Sequence, residues 1–405
     1  MFNSFNSALS ALKAHSAAVD AVGNNLANVN TTGFKSSDVA FKDVVAESFS
    51  GGSETGLGVG RPTTIRNFSQ GAIQSTSGTL DAALQGNGFF VVKESATSVQ
   101  PVLTRDGSFK LDTDGFVVTT TGQRVQQFAN GALSDIQVPT GVSPAKPTST
   151  LDMVANLNAS AAIGDTFSQP IDVVDSLGSR HVVTFTFTKT AANAWEVLPS
   201  MSDADFATPP GVITPAAPTA LTFDSAGKMT APAIAARVIA IGIPGLATGA
   251  ADLAIDFDLY DAKGLPKFTQ FAEASDVSKS SQNGYPAASV ASVGLLNGGK
   301  VVARYGNGQE KELGSLAVAM VANIASLTAV GDNFLRVTSD SAQPLYGVAE
   351  AGGRAKIKAG ALEGSNVDIA REFTNLIVYQ RGYQANSRVI TTTDEITQET
   401  LTLKR

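Results

Sequence analysis

The sequence predicts an α+β fold that is mainly β, with terminal α-helices pairing as a coiled coil and nested antiparallel β domains, sandwich- or barrel-like, between them. Three observations predict it. Apolar residues recur at alternating steps of three and four at both ends of the chain. The middle alternates apolar and polar residues around repeated Asp-x-x-Gly turns. Two stretches rich in Pro, Gly and Ser divide that middle into parts.

The first stripe runs Phe5, Leu9, Leu12, Ser16, Val19, Gly23 and Leu26, five of seven apolar, which is the spacing of a heptad seam. It fades at Asn28, and Gly33 closes the breaker run Asn30-Thr-Thr-Gly33 with a residue suited to a left-handed turn. The last stripe runs Ile369, Phe373, Leu376, Gln380, Tyr383, Ser387, Ile390, Asp394, Thr397 and Leu401, six of ten apolar. Ser365 followed by Asp368 reads as an N-cap with an acidic first turn. Helices over 4–28 and 366–403 would be about 37 and about 57 Å long. Both seams are narrow and diluted by Ser16, Gly23, Gln380, Ser387 and Asp394, so neither makes a self-sufficient core. Such helices are expected to order by packing on other copies. Residues 1–30 hold one Lys and one Asp, and residues 366–405 hold five basic and five acidic side chains, so both ends are neutral and can be packed together without repulsion.

Between the ends, Gly88-Phe-Phe-Val-Val92 reads as a strand, and Asp112-Thr-Asp-Gly115 as the turn of a hairpin. The same unit recurs at Asp175–Gly178, Asp224–Gly227 and Asp261–Gly264. Val183, Phe185 and Phe187 share one strand face, and Leu253, Ile255, Phe257 and Leu259 another. Pro139–Pro147 and Ser278–Pro286 read as linkers. The expected organisation is a helical domain from 1–30 and 366–405, a connector over 31–70, an inner β domain from 71–145 with 283–365, and an outer β domain inserted at 146–282.

Composition excludes several function classes. The 405 residues carry no Cys and two His, so thiolate metal sites, disulfides and cysteine nucleophiles are impossible, and zinc or Ser-His-Asp chemistry has little to build from. A net charge of −7 argues against a nucleic-acid partner. Residues 1–12 lack the basic start and apolar run of a cleaved leader, and no stretch reads as a membrane span. Asp256 and Asp258 lie two apart on a strand and read as a solvated face rather than a catalytic pair. Asp112 and Asp114 read as a turn rather than a calcium loop, and neither His15 nor His181 has a nearby His or Cys to share a metal. No enzyme activity, metal or cofactor is expected.

Two long segments carry a resemblance. Gly23-Asn-Asn-Leu-Ala-Asn-Val-Asn-Thr-Thr-Gly-Phe-Lys35 resembles the N-terminal signature of bacterial flagellar rod and hook axial proteins. Ala361-Leu-Glu-Gly-Ser-Asn-Val-Asp368 and Gln380-Arg-Gly-Tyr-Gln-Ala-Asn386 resemble the matching C-terminal one. The motif positions are Asn24, Asn25, Asn28, Gly33, Phe34, Asn366, Gln380, Arg381, Tyr383 and Asn386. Asn87-Gly-Phe-Phe90, Arg105-Asp-Gly-Ser-Phe109 and Gln282-Asn-Gly-Tyr285 are also similar to the family. Length and the insertion at 146–282 fit its hook type better than its shorter rod types. The resemblance implies a homopolymer, a short curved tube outside the cell that passes torque from rod to filament as a universal joint. It also implies export by the flagellar type III apparatus without a cleaved signal peptide. The implied partners are the distal rod protein, the hook-cap scaffold and the hook–filament junction protein. The competing readings are a distal rod-type axial protein, a surface adhesin and a polysaccharide-active enzyme. An adhesin would need an exposed aromatic cluster where only Trp195 and scattered Tyr are available.

Overall fold

The computed structural model describes residues 2–46, 55–94, 100–339 and 341–402. The chain divides into two compact units. The first comprises Met1–Pro139, Ser292–Arg304 and Glu310–Arg405, and the second Thr140–Ala291 with Tyr305–Gln309.

Two long helices belong to the first unit, α1 (Phe2–Ala27) and α2 (Ile369–Thr402). The cap of α2 differs from the sequence reading. Asp368, not Ser365, accepts the free amides of the first turn, from Ala370 at 2.9 Å and Arg371 at 3.2 Å through Oδ1. A carboxylate here satisfies two orphan N–H groups and faces the positive end of the helix dipole. Helix α2 begins three residues later than expected because the Asn366 side chain is bonded to Ser36, Asn67 and Ser69 instead.

The main sheet of this unit draws strands from both sides of the second unit. Its order is Thr328–Gly331, Phe334–Arg336, Pro101–Thr104, Phe89–Lys93, Arg124–Ala129, Val117–Thr119 and Phe109–Leu111. Val318–Met320 also pairs with Phe89–Lys93, in the register Val318 to Phe90. Every pairing in it is antiparallel. Phe89, Val91, Leu103, Ala319 and Leu335 form its buried core. Two short ladders then lead the chain toward α2: Lys356–Ala359 on Ala82–Gln85, and Ala361–Glu363 on Ile73–Ser75.

The second unit is a sandwich of two five-stranded sheets. One is an antiparallel meander from Thr166–Val174 through Arg180–Ala191, Ala194–Met201 and Thr219–Phe223 to Met229–Ala231. The other departs from the expected antiparallel arrangement. Thr150–Asn156 pairs in parallel with Leu253–Asp258 and Phe268–Thr269, and antiparallel with Asp276–Gln282. The last strand also corrects the second linker: Ser278–Gln282 is not a linker but lies along Thr150–Asn156, its hydroxyls and lysine facing water on a polar edge. Phe185 meets Phe257 with ring centroids 4.8 Å apart, and Phe187 meets Phe268 at 5.6 Å, so the two inner faces share one aromatic core.

The four Asp-x-x-Gly turns are built alike. In each, the Asp Oδ1 accepts the amides two and four residues on: Asp112 from Asp114 and Phe116, Asp175 from Leu177 and Ser179, Asp224 from Ala226 and Lys228, Asp261 from Lys263 and Leu265. The glycine stands at positive φ, for example +93° at Gly178, a region that a side chain would strain. At Asp261–Gly264 the flanking strands do not pair with each other; both pair with Thr150–Asn156.

Candidate functional site

Helices α1 and α2 pack antiparallel. His15 lies against Gly382, where an added Cβ would come within 2.5 Å of the imidazole Cε1, and Asn25 hydrogen-bonds Glu372. The His15 ring is also 6.3 Å from Tyr379 and 5.4 Å from Phe41, between centroids. The buried face of α1 carries Ala8, Ala14, Ala18, Val22 and Asn25. On α2, Glu372 is buried, and Asn375, Leu376, Tyr379, Gly382, Asn386, Ser387 and Ile390 are half-buried. Gly382 on α2 leaves room for the His15 ring of α1.

The helices therefore do not share the predicted stripe within one chain. Phe5 and Leu9 are each 37% exposed, and Ile369, Phe373 and Tyr383 are 49%, 52% and 44% exposed. Leu12, Val19, Leu26, Leu376 and Ile390 are half-buried, and the side chain of Leu401 lies outside the described residues. The inward face lies one residue earlier in the sequence than the stripe on both helices, because alanine, glycine and asparagine form it. A large-residue pattern is blind to such a face. Among the motif positions on the helices, Asn24, Gln380 and Arg381 are exposed. Asn386 bonds back to the Gly382 carbonyl at 2.8 Å.

The two terminal motifs converge where the helices meet the β structure. Glu363, fully buried, is the centre. Its Oε1 accepts from Lys35 Nζ at 2.6 Å and from the Gly71 amide at 2.9 Å, and its Oε2 from Arg105 Nη1 at 3.1 Å. Its carbonyl takes the Gly33 amide at 2.7 Å. Gly33 has φ +69°, and a Cβ there would stand 2.7 Å from the Arg105–Asp106 peptide, so both conformation and space require glycine. Asn366 Oδ1 accepts the Ser36 amide at 2.7 Å. Asn25, 1% exposed, exchanges two hydrogen bonds with the Ser37 backbone, each 2.9 Å. Asn28 links Asn24 to Thr31 and closes the end of α1, while Phe34 follows half-buried.

Electrostatics at this junction are those of buried charge. Burial pulls the Lys35 ammonium below its ordinary value, against the opposing bond to Glu363. Burial likewise lowers Arg105, again opposed by Glu363. Burial raises the Glu372 carboxyl, which the Asn25 amide partly offsets. The sequence reading missed Glu363, Lys35 and Arg105 as a set. The available signal was that three charged residues stand inside motif segments of a chain only 16% charged.

Elsewhere the chemistry-bearing candidates serve structure. His181 places Nε2 3.1 Å from Asp175 Oδ2 and Nδ1 3.0 Å from Asp205 Oδ1. Asp258 lies 3.6 Å from Arg237, and Asp256 is exposed. Among the described residues no group of three or more His, Cys, Asp or Glu is arranged to hold a metal ion, and no helix is long and apolar enough to cross a membrane.

Four family models match in chain order. They are described as flagella basal body rod protein over residues 5–35, flagellar hook protein FlgE/F/G D1 domain over 83–152, flagellar basal body protein FlaE D2 domain over 143–285, and flagellar basal body rod FlgEFG protein C-terminal over 358–403. The flagellar hook protein FlgE of Salmonella typhimurium is 34% identical over 99% of this chain and 100% of its own. The chain belongs to the flagellar hook protein family. The hook protein FlgE of Escherichia coli is 33% identical over 99% of this chain, and that of Borreliella burgdorferi 30% identical over all of it, each covered completely. Within the hook-family chain, the outer two family models cover Lys35 and Glu363, the oppositely charged halves of the buried junction.

Proposed function

We propose that the chain is a structural subunit of the flagellar hook. It polymerises into a short curved tube that serves as a universal joint between rod and filament. The observation that carries this reading is the large apolar stripe left uncovered on an already paired set of helices. Phe5, Leu9, Ile369, Phe373 and Tyr383 stay 37–52% exposed, and neutral helical ends permit many copies to meet there. A contact of this kind, made between different faces of successive copies, need not close into a ring and generates a helical assembly. In this reading the helices form the inner wall and the two β units stack outside. The subunit is exported by the flagellar type III apparatus. It meets the distal rod protein, the hook-cap scaffold and the hook–filament junction protein, and it has no enzymatic role.

The test is Phe373→Asp in the full chain. Phe373 is 52% exposed, so its replacement should leave the fold of the isolated chain intact, whereas Leu376 is half-buried and its replacement should perturb folding as well. The variant should keep the wild-type thermal midpoint and fail to form tubes by electron microscopy. Normal tubes from Phe373→Asp would remove the helical-wall argument.

A further inference from the structure

One cavity in the first unit gathers more positive charge than its own acids answer. Of about 270 Å³, it opens between the end of α1 and the turn at 329–335, and Lys35, Arg66 and Arg105 all line it. Glu363 is already committed to Lys35, Arg105 and the Gly71 amide. Arg105 is 6% exposed, spends its Nη2 on the Gly86 carbonyl at 2.8 Å, and keeps a buried Nε with no acceptor. Arg66 is half-buried at the end of its strand, and its guanidinium has no partner among the described residues. Asp332, the acid on the lining, is exposed and pairs with none of the three cations. A buried N–H without an acceptor costs the full desolvation of that group, which adds to the unanswered positive charge on this lining. Burial pushes Arg66 below the ordinary guanidinium value with no acid opposing it.

We propose that this cavity is a carboxylate-binding site, filled in the polymer by an acidic side chain of a second copy of this chain. A guanidinium edge presents donors at the spacing of the two carboxylate oxygens, and a charge-assisted bond of this kind is roughly twice as strong as a neutral one. The volume suits a carboxylate with its methylenes. The chain itself supplies the ligand chemistry: it has 36 acidic against 29 basic residues, and with both ends neutral its whole excess of acid falls on residues 31–365. The occupant rests on the polymer reading above; the cavity's preference for a carboxylate does not.

Two measurements on the full chain test it. In the monomer, acetate is titrated while the side-chain Nε–H resonances of Arg66 and Arg105 are followed by NMR. A saturable shift of both signals is expected in the wild type, and the remaining Arg105 shift should weaken in Arg66→Met. Absence of a saturable shift overturns the site. In assembly, Arg66→Met should raise the critical concentration for tube formation about tenfold, or about 1.4 kcal/mol per added copy. Arg66→Lys, which restores charge without the fork, should recover only part of that. The thermal midpoint of each variant monomer should match wild type, since among the described residues the Arg66 side chain has no partner to lose. Acetate binding with unchanged assembly by Arg66→Met would overturn the neighbouring copy as occupant in favour of a dissolved anion. Failure of the wild type to polymerise would overturn that occupant together with the proposed function, while the acetate titration still decides the cavity.

Discussion

Replacing Glu363 by glutamine tests whether the buried junction holds the two ends of the chain to the β structure. The substitution keeps shape and one acceptor oxygen, but removes the charge that answers Lys35 at 2.6 Å and Arg105 at 3.1 Å. Side-chain exposures of 4%, 7% and 0% for Lys35, Arg105 and Glu363 leave water little access with which to compensate. Breaking a buried pair by removing one partner costs about 3–5 kcal/mol, because the remaining charge stays buried. For a unit of this size each kcal/mol moves the thermal midpoint by about 2–4 °C, so a fall of about 6–20 °C is expected in the first unit's transition. The assay is differential scanning calorimetry of the full chain. The second unit holds its own core, so its transition is the internal control. The triple variant Lys35→Met, Arg105→Leu, Glu363→Leu would recover part of the loss but not all. Lys35 also donates to the Ser69 carbonyl at 2.7 Å and Arg105 to the Gly86 carbonyl at 2.8 Å, and both acceptors would lose their donors. A first-unit transition within about 1 kcal/mol of wild type in Glu363→Gln would refute the reasoning, since surface substitutions alone produce changes of about half that size.

Two more outcomes follow from the geometry. Gly382→Ala would normally favour a helix by about 1 kcal/mol, yet its Cβ would stand 2.5 Å from the His15 ring, so overpacking of about 1–3 kcal/mol should win. Circular dichroism should show lower helix stability, restored by adding His15→Ala; a Gly382→Ala chain more stable than wild type would show that the helices do not meet there. At His181, burial opposes the charged ring, but the bonds to Asp205 and Asp175 prevail and raise its pKa. A raised histidine pKa stabilises the fold fully below the unfolded value near about 6.5 and loses that contribution as pH rises through the folded value. The second unit's midpoint should therefore fall, as pH rises above about 6.5, more steeply in wild type than in His181→Gln, and equal slopes would refute the clamp.

How much of this was legible in the sequence depends on what each feature is made of. The Asp-x-x-Gly turns were fully legible because a short carboxylate bonding its own backbone two and four residues on, with glycine at positive φ, is a local event that local sequence encodes. The alternation at Val183, Phe185 and Phe187 was legible for the same reason: the pleat alone decides the face, and all three are fully buried. The parallel pairing of Thr150–Asn156 with Leu253–Asp258 was not, since partners about a hundred residues apart leave no mark on either strand's own pattern. Nor was the Glu363 junction, which joins positions 35, 71, 105 and 363 through single side chains that read, one at a time, as ordinary polar residues. His181 stands in between: strand alternation puts it on the buried face with Val183, while Asp205 reaches it from a separate turn.

The displaced helix face has an energetic consequence. Within one chain α1 and α2 meet largely through Ala, Gly, Asn and Glu, side chains that remove little apolar area from water. Full burial of a Leu, Ile or Phe is worth about 1.5–3 kcal/mol. Phe5, Leu9, Ile369 and Phe373 are 37–52% exposed, so each still has a substantial part of that to gain. Intrachain pairing therefore sets the angle and register of the helices through close backbone approach and through Glu363 at their foot, and leaves the larger apolar gain to contacts not yet made. Had the large residues formed the intrachain seam, the pair would be more stable alone and present a polar exterior to any neighbour. Putting small residues inside and large ones outside makes helix order and association reinforce each other, which is the arrangement expected of a subunit whose ends finish folding against other copies.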